Sequence, residues 1–310
     1  MSQVFEHEPV MVDEVVDLFA GVPAGLVIDA TVGAGGHAAA ILASRPDLDL
    51  LGLDRDADAV SAAMARLAPF GSRVVLRHAR FDRIADEAAA LGRPVSGVLF
   101  DLGVSSPQLD RPARGFSYRV DAPLDMRMDP SGGPTAADVI NSTPRHELAR
   151  LFAQHGEGRF AGRIARAVEA ARPITTTTAL AEVVRAALPA AVRRQGGHPA
   201  RRVFQAVRVV VNEELDVLTR ALPDAIELLV PGGRCVAIAY HSGEDRIVKA
   251  AFVAAETGGC TCPPKLPCTC GALRLGRPVF RRARRPGEAE TARNRRADSA
   301  RLRAFEKGAA

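Results

Sequence analysis

Three stretches of this chain hold residues whose types and spacing can do chemistry. The first, Val27 to His37, reads V-I-D-A-T-V-G-A-G-G-H: an apolar strand, an acidic residue, then a glycine-rich turn opening a helix. Gly33, Gly35 and Gly36 let such a turn present bare backbone N–H groups to a ligand. The next apolar run, Leu48 to Leu53, ends in Asp54, placed where a carboxylate can accept both hydroxyls of a ribose. Together they imply a nucleoside-bearing cofactor. The turn lacks the G-x-G-x-x-G spacing that seats a dinucleotide pyrophosphate, which favours S-adenosylmethionine over NAD. A glycine turn also serves many α/β folds simply by reversing the chain, so Asp54 carries much of the weight.

The second stretch, D-L-G-V-S-S-P-Q-L-D from Asp101 to Asp110, follows an apolar run and falls at the carboxyl edge of a parallel sheet, where such folds bind ligands. Its Ser-Ser-Pro-Gln turn could also be loop chemistry alone, with Ser105 bonding its own backbone and Pro107 fixing the bend. The third, A-Y-H-S-G-E-D-R-I-V-K, brings Tyr240, His241 and Ser242 to the same edge, with Asp245 and Arg246 beginning a helix. At a strand's end His241 is better placed for chemistry than His78 or His155, whereas His37 can serve as a helix cap.

The elements that must position these groups follow from patterning. Apolar strands are expected at Leu26 to Val32, Leu48 to Leu53, Val74 to Leu76 and Val95 to Leu102, alternating with helices, which implies a parallel sheet covered on both faces. Val10 to Phe19 places most of its apolar residues on one helical face and should pack on that sheet. Beyond Asp110 the alternation stops. A Pro-, Gly- and Arg-rich stretch leads into consecutive helices running to about Leu229, with Thr143 and Pro144 as a helix start and Pro173, Pro189 and Pro223 as boundaries. A buried strand returns at Arg234 to Ala239, and short strands near Val279 and Leu302 should form an antiparallel edge. The expected division is residues 1–111 and 223–310 for an α/β domain in two parts, the second ending in a basic tail, with 112–222 as an inserted, mainly helical domain.

With 310 residues and 47% hydrophobic content, one or two domains are expected. No apolar run could span a bilayer and no basic-then-apolar leader opens the sequence, so a cytoplasmic protein is expected. The net charge of +5 is unevenly spread. Ser142 to Leu222 holds 13 Arg against seven acids, and Gly271 to Ala310 holds 11 Arg and one Lys against four acids. Two basic segments on an acidic body suggest a polyanionic partner, with Arg suited to bidentate phosphate contacts, although an Arg-rich tail also serves solubility. Four of the five cysteines, Cys260, Cys262, Cys268 and Cys270, lie within eleven residues. Four thiolates could hold zinc, but C-x-C pairs are less typical ligands than C-x-x-C, and a thiol-bearing surface loop is the alternative.

These segments closely resemble a known family. H-E-P-V-M, D-A-T-V-G-A-G-G-H, L-D-R-D, D-L-G-V-S-S-P-Q-L-D, R-G-F-S-Y, L-D-M-R-M-D, G-E-G-R-F and H-S-G-E-D-R-I-V-K are similar to motifs of the bacterial small-subunit ribosomal RNA cytosine-N4-methyltransferases, the RsmH (MraW) family, from His7 to about Ala304. The resemblance implies a class I, Rossmann-like S-adenosylmethionine-dependent methyltransferase fold with an inserted all-helical domain. It implies N4-methylation of cytidine 1402 in the decoding region of 16S rRNA, with the small ribosomal subunit as partner, no DNA, no membrane and no required metal, and it leaves a homodimer open. Carried over by motif position, cofactor contacts fall on Gly35, Gly36 and His37, on Asp54 at the ribose, on Phe81 near adenine, and on Asp101 and Gln108 around the methionine end. Ala34 and Gly243 stand where bulkier residues are familiar.

Asp101, Ser105 and His241 are the catalytic candidates. Cytosine N4 is a poor nucleophile because its lone pair is delocalised into the ring, so the site must align it with the sulfonium methyl and accept its proton. Asp101 or the Ser105 to Pro107 loop fits that acceptor, His241 less directly. A stacked base cannot reach such a site, so the cytidine should be splayed out while the Arg-rich insertion grips phosphates. The rival readings are a methyltransferase of another acceptor and an RNA-binding assembly factor that uses the fold as a scaffold. The second has no need of Asp54.

Overall fold

The computed structural model describes residues 9–105, 108, 111–193, 198–263 and 269–309. The chain folds as two compact units, one made of residues 1–103 and 215–310 and the other of residues 104–214. Both boundaries fall eight residues ahead of the division expected from sequence. The second does so because one helix runs from Glu214 to Leu228 straight through Pro223, which therefore marks no boundary.

The first unit is a seven-stranded sheet: β1 (Gly25–Asp29), β2 (Leu48–Asp54), β3 (Val74–His78), β4 (Val95–Asp101), β5 (Leu229–Ala239), β6 (Gly276–Pro278) and β7 (Arg301–Lys307). Their order is β3-β2-β1-β4-β5-β7-β6. β1 to β5 pair in parallel, and β7 runs antiparallel to both β5 and β6. This is the class I Rossmann-like topology. The expected antiparallel edge is present, and the basic C-terminal segment is partly a strand within it. There Arg301 and Arg303 reach Asp245 at 3.0 and 2.6 Å, and Arg234 meets Glu306 at 2.8 Å. Against the burial that raises it, those two guanidinium groups hold the Asp245 carboxyl below its usual range.

Alternate side chains of the central strands feed opposite faces, as their near-continuous apolar runs require. Ile28, Val98, Phe100 and Ala237 join a core with α4 (Ile84–Leu91), α11 (Glu214–Leu228) and α12 (Ser242–Thr257). Val27, Leu99, Val236 and Ile238 join the other, with α1 (Val12–Ala20) and α2 (Gly36–Ser44). Leu50 continues that face against Leu67 of α3 (Ala57–Leu67). Each fully buried Leu or Phe contributes about 1.5–3 kcal/mol. The sheet is thus a rigid frame whose strand ends are fixed.

The second unit holds α5 (Ala136–Ser142), α6 (Arg145–Phe152), α7 (Ala161–Ala170), α8 (Thr177–Ala187), α9 (Ala190–Arg193) and α10 (Arg201–Val211) around its own core of Ile140, Leu148, Phe152, Ile164, Val168, Leu180, Val184, Val203 and Val207. Helix α5 opens on a capping box between Thr135 and Asp138. Pro144 sits just before α6 as its cap rather than as its first helical residue, Thr143 closing α5. Buried Asn212 ties the unit's irregular stretch down, accepting from Met128 N and donating to Met126 O, both at 2.8 Å. No helix among the described residues is long and apolar enough to cross a membrane.

Candidate active site

Three adjacent parallel strands of the first unit, β2, β1 and β4, each end in an aspartate: Asp54, Asp29 and Asp101. Because the strands are parallel and neighbours, their carboxyl ends place these carboxylates along one edge of the sheet. The glycine turn after β1 runs over that edge. Val32 N donates to Leu53 O at 2.9 Å and Gly35 N to Val32 O at 2.7 Å, with Gly33 and Gly35 at φ 51° and 78°. A Cβ on Gly36 would stand 2.5 Å from Pro9 Cγ, so the helix must start there without a side chain.

Asp54 is anchored by that turn. Its Oδ2 accepts from Gly33 N and its Oδ1 from Asp56 N, each at 2.9 Å. A carboxylate has about four lone-pair positions, so two stay open, one on each oxygen. Burial pushes the Asp54 carboxyl up to about 6 against the two N–H groups that pull it down. Asp29 is 1% exposed and accepts from Thr31 N at 3.2 Å. Burial raises it to about 7, opposed by His37 and reinforced by Asp101 and Asp54. Neighbouring like charges at one strand edge thus hold the Asp29 proton on more tightly.

Asp101 lies where that edge opens. Its backbone N donates to Thr31 Oγ1 at 2.7 Å, fixing the strand end to the turn. Its Oδ1 accepts from Tyr240 Oη at 2.8 Å, and its Oδ2 lies 3.5 Å from His37 Nε2. Burial and the Asp101 carboxylate push the Tyr240 phenol well up, so it stays a donor at neutral pH. His37 is 5% exposed, and neither ring nitrogen makes a hydrogen bond. It does not cap α2, whose cap is Gly35 with no side-chain bond, so the capping role expected for His37 gives way to a place facing Asp101. Phe81, partly exposed after β3, packs edge-on against Phe100 at 5.6 Å.

His241 has a different surrounding from the one expected of a proton acceptor. It is the N-cap of α12: its Nδ1 accepts from Gly243 N at 3.1 Å and Glu244 N at 3.4 Å, while Nε2 stands 3.1 Å from Glu244 Oε1. Glu244 returns Oε2 to the backbone N–H of Tyr240 and His241. This reciprocal cap fixes the chain direction that carries Tyr240 to Asp101. Gly243 leaves room for it, since a Cβ there would lie 3.1 Å from the imidazole.

Ser105 and Gln108 belong to the second unit, where Ser105 N donates to Gln108 Oε1 at 3.0 Å. Gln108 is 3% exposed, and Ser105 Oγ is buried without a hydrogen-bond partner. Ser106, Pro107, Asp110 and Cys268, with His7 of the first motif, lie outside the described residues. Asp29 is the group missing from the sequence-based site, and Tyr240, expected at this edge, carries no assigned role there. A signal for Asp29 was present, because V-I-D, G-L-D and L-F-D end three parallel strands alike.

With that geometry in place, the family model described as the MraW methylase family matches residues 4–308. The chain belongs to the MraW methylase family. Relatives agree along the whole length. "Ribosomal RNA small subunit methyltransferase H" of Symbiobacterium thermophilum is 51% identical over 98% of this chain and 97% of its own, and its namesake in Thermobifida fusca is 50% identical over 97% and 93%. A solved rRNA methylase from Streptococcus thermophilus aligns over 97% of this chain and 98% of its own, with a TM-score of 0.45 and 10% identity. As a member of this methylase family the chain uses S-adenosylmethionine.

Proposed function

We propose that this protein methylates the exocyclic N4 of cytidine 1402 in the decoding region of 16S rRNA, within the small ribosomal subunit. The observation that supports the reading most is the row of three carboxylates, Asp54, Asp29 and Asp101, along the glycine turn. The donor set fits S-adenosylmethionine. The open lone pairs of Asp54 suit the ribose diol, Phe81, braced edge-on by buried Phe100, offers an apolar face for adenine, and Asp29 and Asp101 oppose positive charge. Gly35, Gly36 and His37 line the turn beside Asp101, and Gln108 is assigned to the methionine end by its motif position. When bound, the cofactor supplies an electrophilic methyl group on a cationic sulfur.

The rest is done by the chain. As the nitrogen–carbon bond forms, an N4 proton must leave, and an acceptor on the N4 hydrogens favours the pyramidal amine of the transition state. Asp101 is that acceptor. Tyr240 donates to Oδ1, and Oδ2, which faces His37 Nε2 at 3.5 Å, is the oxygen assigned to the amine. Ser105 keeps its place as a candidate contact to the base by motif position alone, while His241 acts by positioning Tyr240 through the α12 cap. The second unit supplies phosphate contacts through exposed Arg145, Arg159, Arg163, Arg166 and Arg201.

An acceptor panel tests the reading: labelled methyl donor is offered with 30S subunits lacking the modification, naked 16S rRNA and duplex DNA, followed by nucleoside analysis. Label recovered as N4-methylcytidine from RNA is expected. Label in DNA alone, or none despite tight cofactor binding, would overturn it in favour of another acceptor or an assembly role.

A further inference from the structure

The segment joining α12 to β6 reads G-G-C-T-C-P-P-K-L-P-C-T-C-G, and the methyltransferase reading uses none of it. Helix α12 stops at Gly258, whose φ of 63° is the left-handed turn that ends a helix. A side chain there would strike the backbone of Leu273, so the returning strand lies directly against the helix end. Cys260 N turns back onto Thr257 O at 3.1 Å at the helix end, and Leu275 N donates to Ala255 O at 2.9 Å, which holds the returning stretch against the helix. This closure brings Cys260, Cys262 and Cys270 into one cluster, with their Sγ atoms all within 4.8 Å of one another.

Tetrahedral zinc with Zn–S bonds of about 2.3 Å holds its sulfurs about 3.8 Å apart, so the cluster needs to tighten by about an ångström at most. Leu273 is 81% exposed, Thr261, Pro263, Thr269 and Gly271 are exposed, and among the described residues between Cys260 and Leu275 none belongs to the core. A metal held by these thiols would tie the described ends of the loop together in the way small metal-stapled folds use one.

We propose that Cys260, Cys262 and Cys270 hold a zinc ion that staples this loop to the end of α12. The inference rests on these three thiols. The sequence places Cys268 two residues before Cys270, outside the described residues. The site is structural. His241 and the candidate active site lie at the other end of α12, whose 16 residues span about 24 Å. Cys235 is no competitor, being buried in β5 with its thiol pushed far up by burial.

The test uses untagged full-length protein, purified under reducing conditions without added zinc. Metal analysis should find about one zinc per chain. After chelation, cobalt(II) titration should restore one equivalent, with the near-ultraviolet thiolate-to-metal band and strong visible absorption of a tetrahedral thiolate site. Cys260→Ser and Cys270→Ser should each lose that band and most of the bound metal while S-adenosylhomocysteine affinity stays within twofold, which shows the sheet still folded. Protein that binds no cobalt through thiolates, or a Cys260→Ser/Cys262→Ser/Cys270→Ser variant that keeps the band, would overturn the proposal. So would reduced thiols that count fully while no metal is retained.

Discussion

Asp54 should make nucleoside binding depend on acidity in a range where ordinary aspartates do not titrate. Its carboxyl is raised to about 6, and its role requires the ionised form, since each oxygen already takes a backbone N–H and must accept a further hydroxyl. Below pH 6 a proton competes with the ligand. Affinity should then fall about tenfold per pH unit, so binding at pH 5 should be about 1.4 kcal/mol weaker than at pH 7.5. Asp54→Asn removes the titration. An amide has one acceptor oxygen where two are engaged, so its NH2 faces a backbone N–H and leaves that donor unpaired. The cost should be about 1–3 kcal/mol, or about 5- to 150-fold in affinity. Calorimetry at fixed ionic strength, with S-adenosylhomocysteine and with adenosine, isolates the protein's part because neither ligand changes charge between pH 5 and 7. A flat wild-type profile over that range, or an Asp54→Asn protein with the wild-type slope, would refute the assignment.

Asp29 gives a stability counterpart. Its carboxyl moves from 3.8 to about 7 on folding, so the folded state keeps its proton to higher pH and stability is lost as pH climbs through that window, by up to about 4 kcal/mol above it. Asn in its place should therefore raise the melting temperature of cofactor-free protein at pH 8, with the gain shrinking toward pH 5; an equal or lower melting temperature at pH 8 contradicts the buried-charge penalty. Tyr240→Phe deletes the donor to Asp101, a charge-assisted bond of about 1.5–3 kcal/mol. Single-turnover methyl transfer should slow by about 10- to 100-fold with cofactor affinity nearly unchanged, and an unaltered rate would remove Tyr240 from the chemistry. Gly36→Ala places a methyl against Pro9 and should weaken cofactor binding by about 1–3 kcal/mol in dialysis experiments, wild-type affinity showing instead that the turn has slack. Reversing charge at Arg201 and Arg202 should weaken rRNA binding and lower its logarithmic salt slope by about 1.5 to 2. An unchanged slope moves the footprint elsewhere.

Much of the frame was legible because parallel strands buried on both faces read as short apolar runs, and each was bounded by a turn that fixes the chain's direction. The acidic strand ends were legible for the same reason: Asp54 and Asp101 break those runs where the sheet meets solvent. Asp29 does so too, yet the glycine turn beside it drew the reading away. Side-chain pairings between distant segments were not legible. Tyr240 and Asp101 are 139 residues apart, and only strand order makes them neighbours. His241 read as a proton acceptor or base contact because of its place at a strand end, whereas the glutamate three residues on makes it half of a cap. Pro223 read as a helix breaker. In fact it lies within α11, which continues through it to Leu228. The basic end of the chain read as a tail with a short strand near Leu302, and pairing with β5 shows how far that strand extends, from Arg301 to Lys307 with Leu302 and Ala304 inward.

The most direct measurement is site-resolved nucleoside mapping of 16S rRNA after one round of methyl transfer by the purified wild-type protein and by Asp101→Asn, on 30S subunits taken from cells that lack the modification. The expected result is N4-methylcytidine at a single decoding-region cytidine with the wild type, and loss of that signal in Asp101→Asn while S-adenosylhomocysteine still binds. Methylation scattered over many cytidines, at a ring carbon or ribose oxygen, or undiminished in Asp101→Asn would contradict the site and the reaction assigned to it.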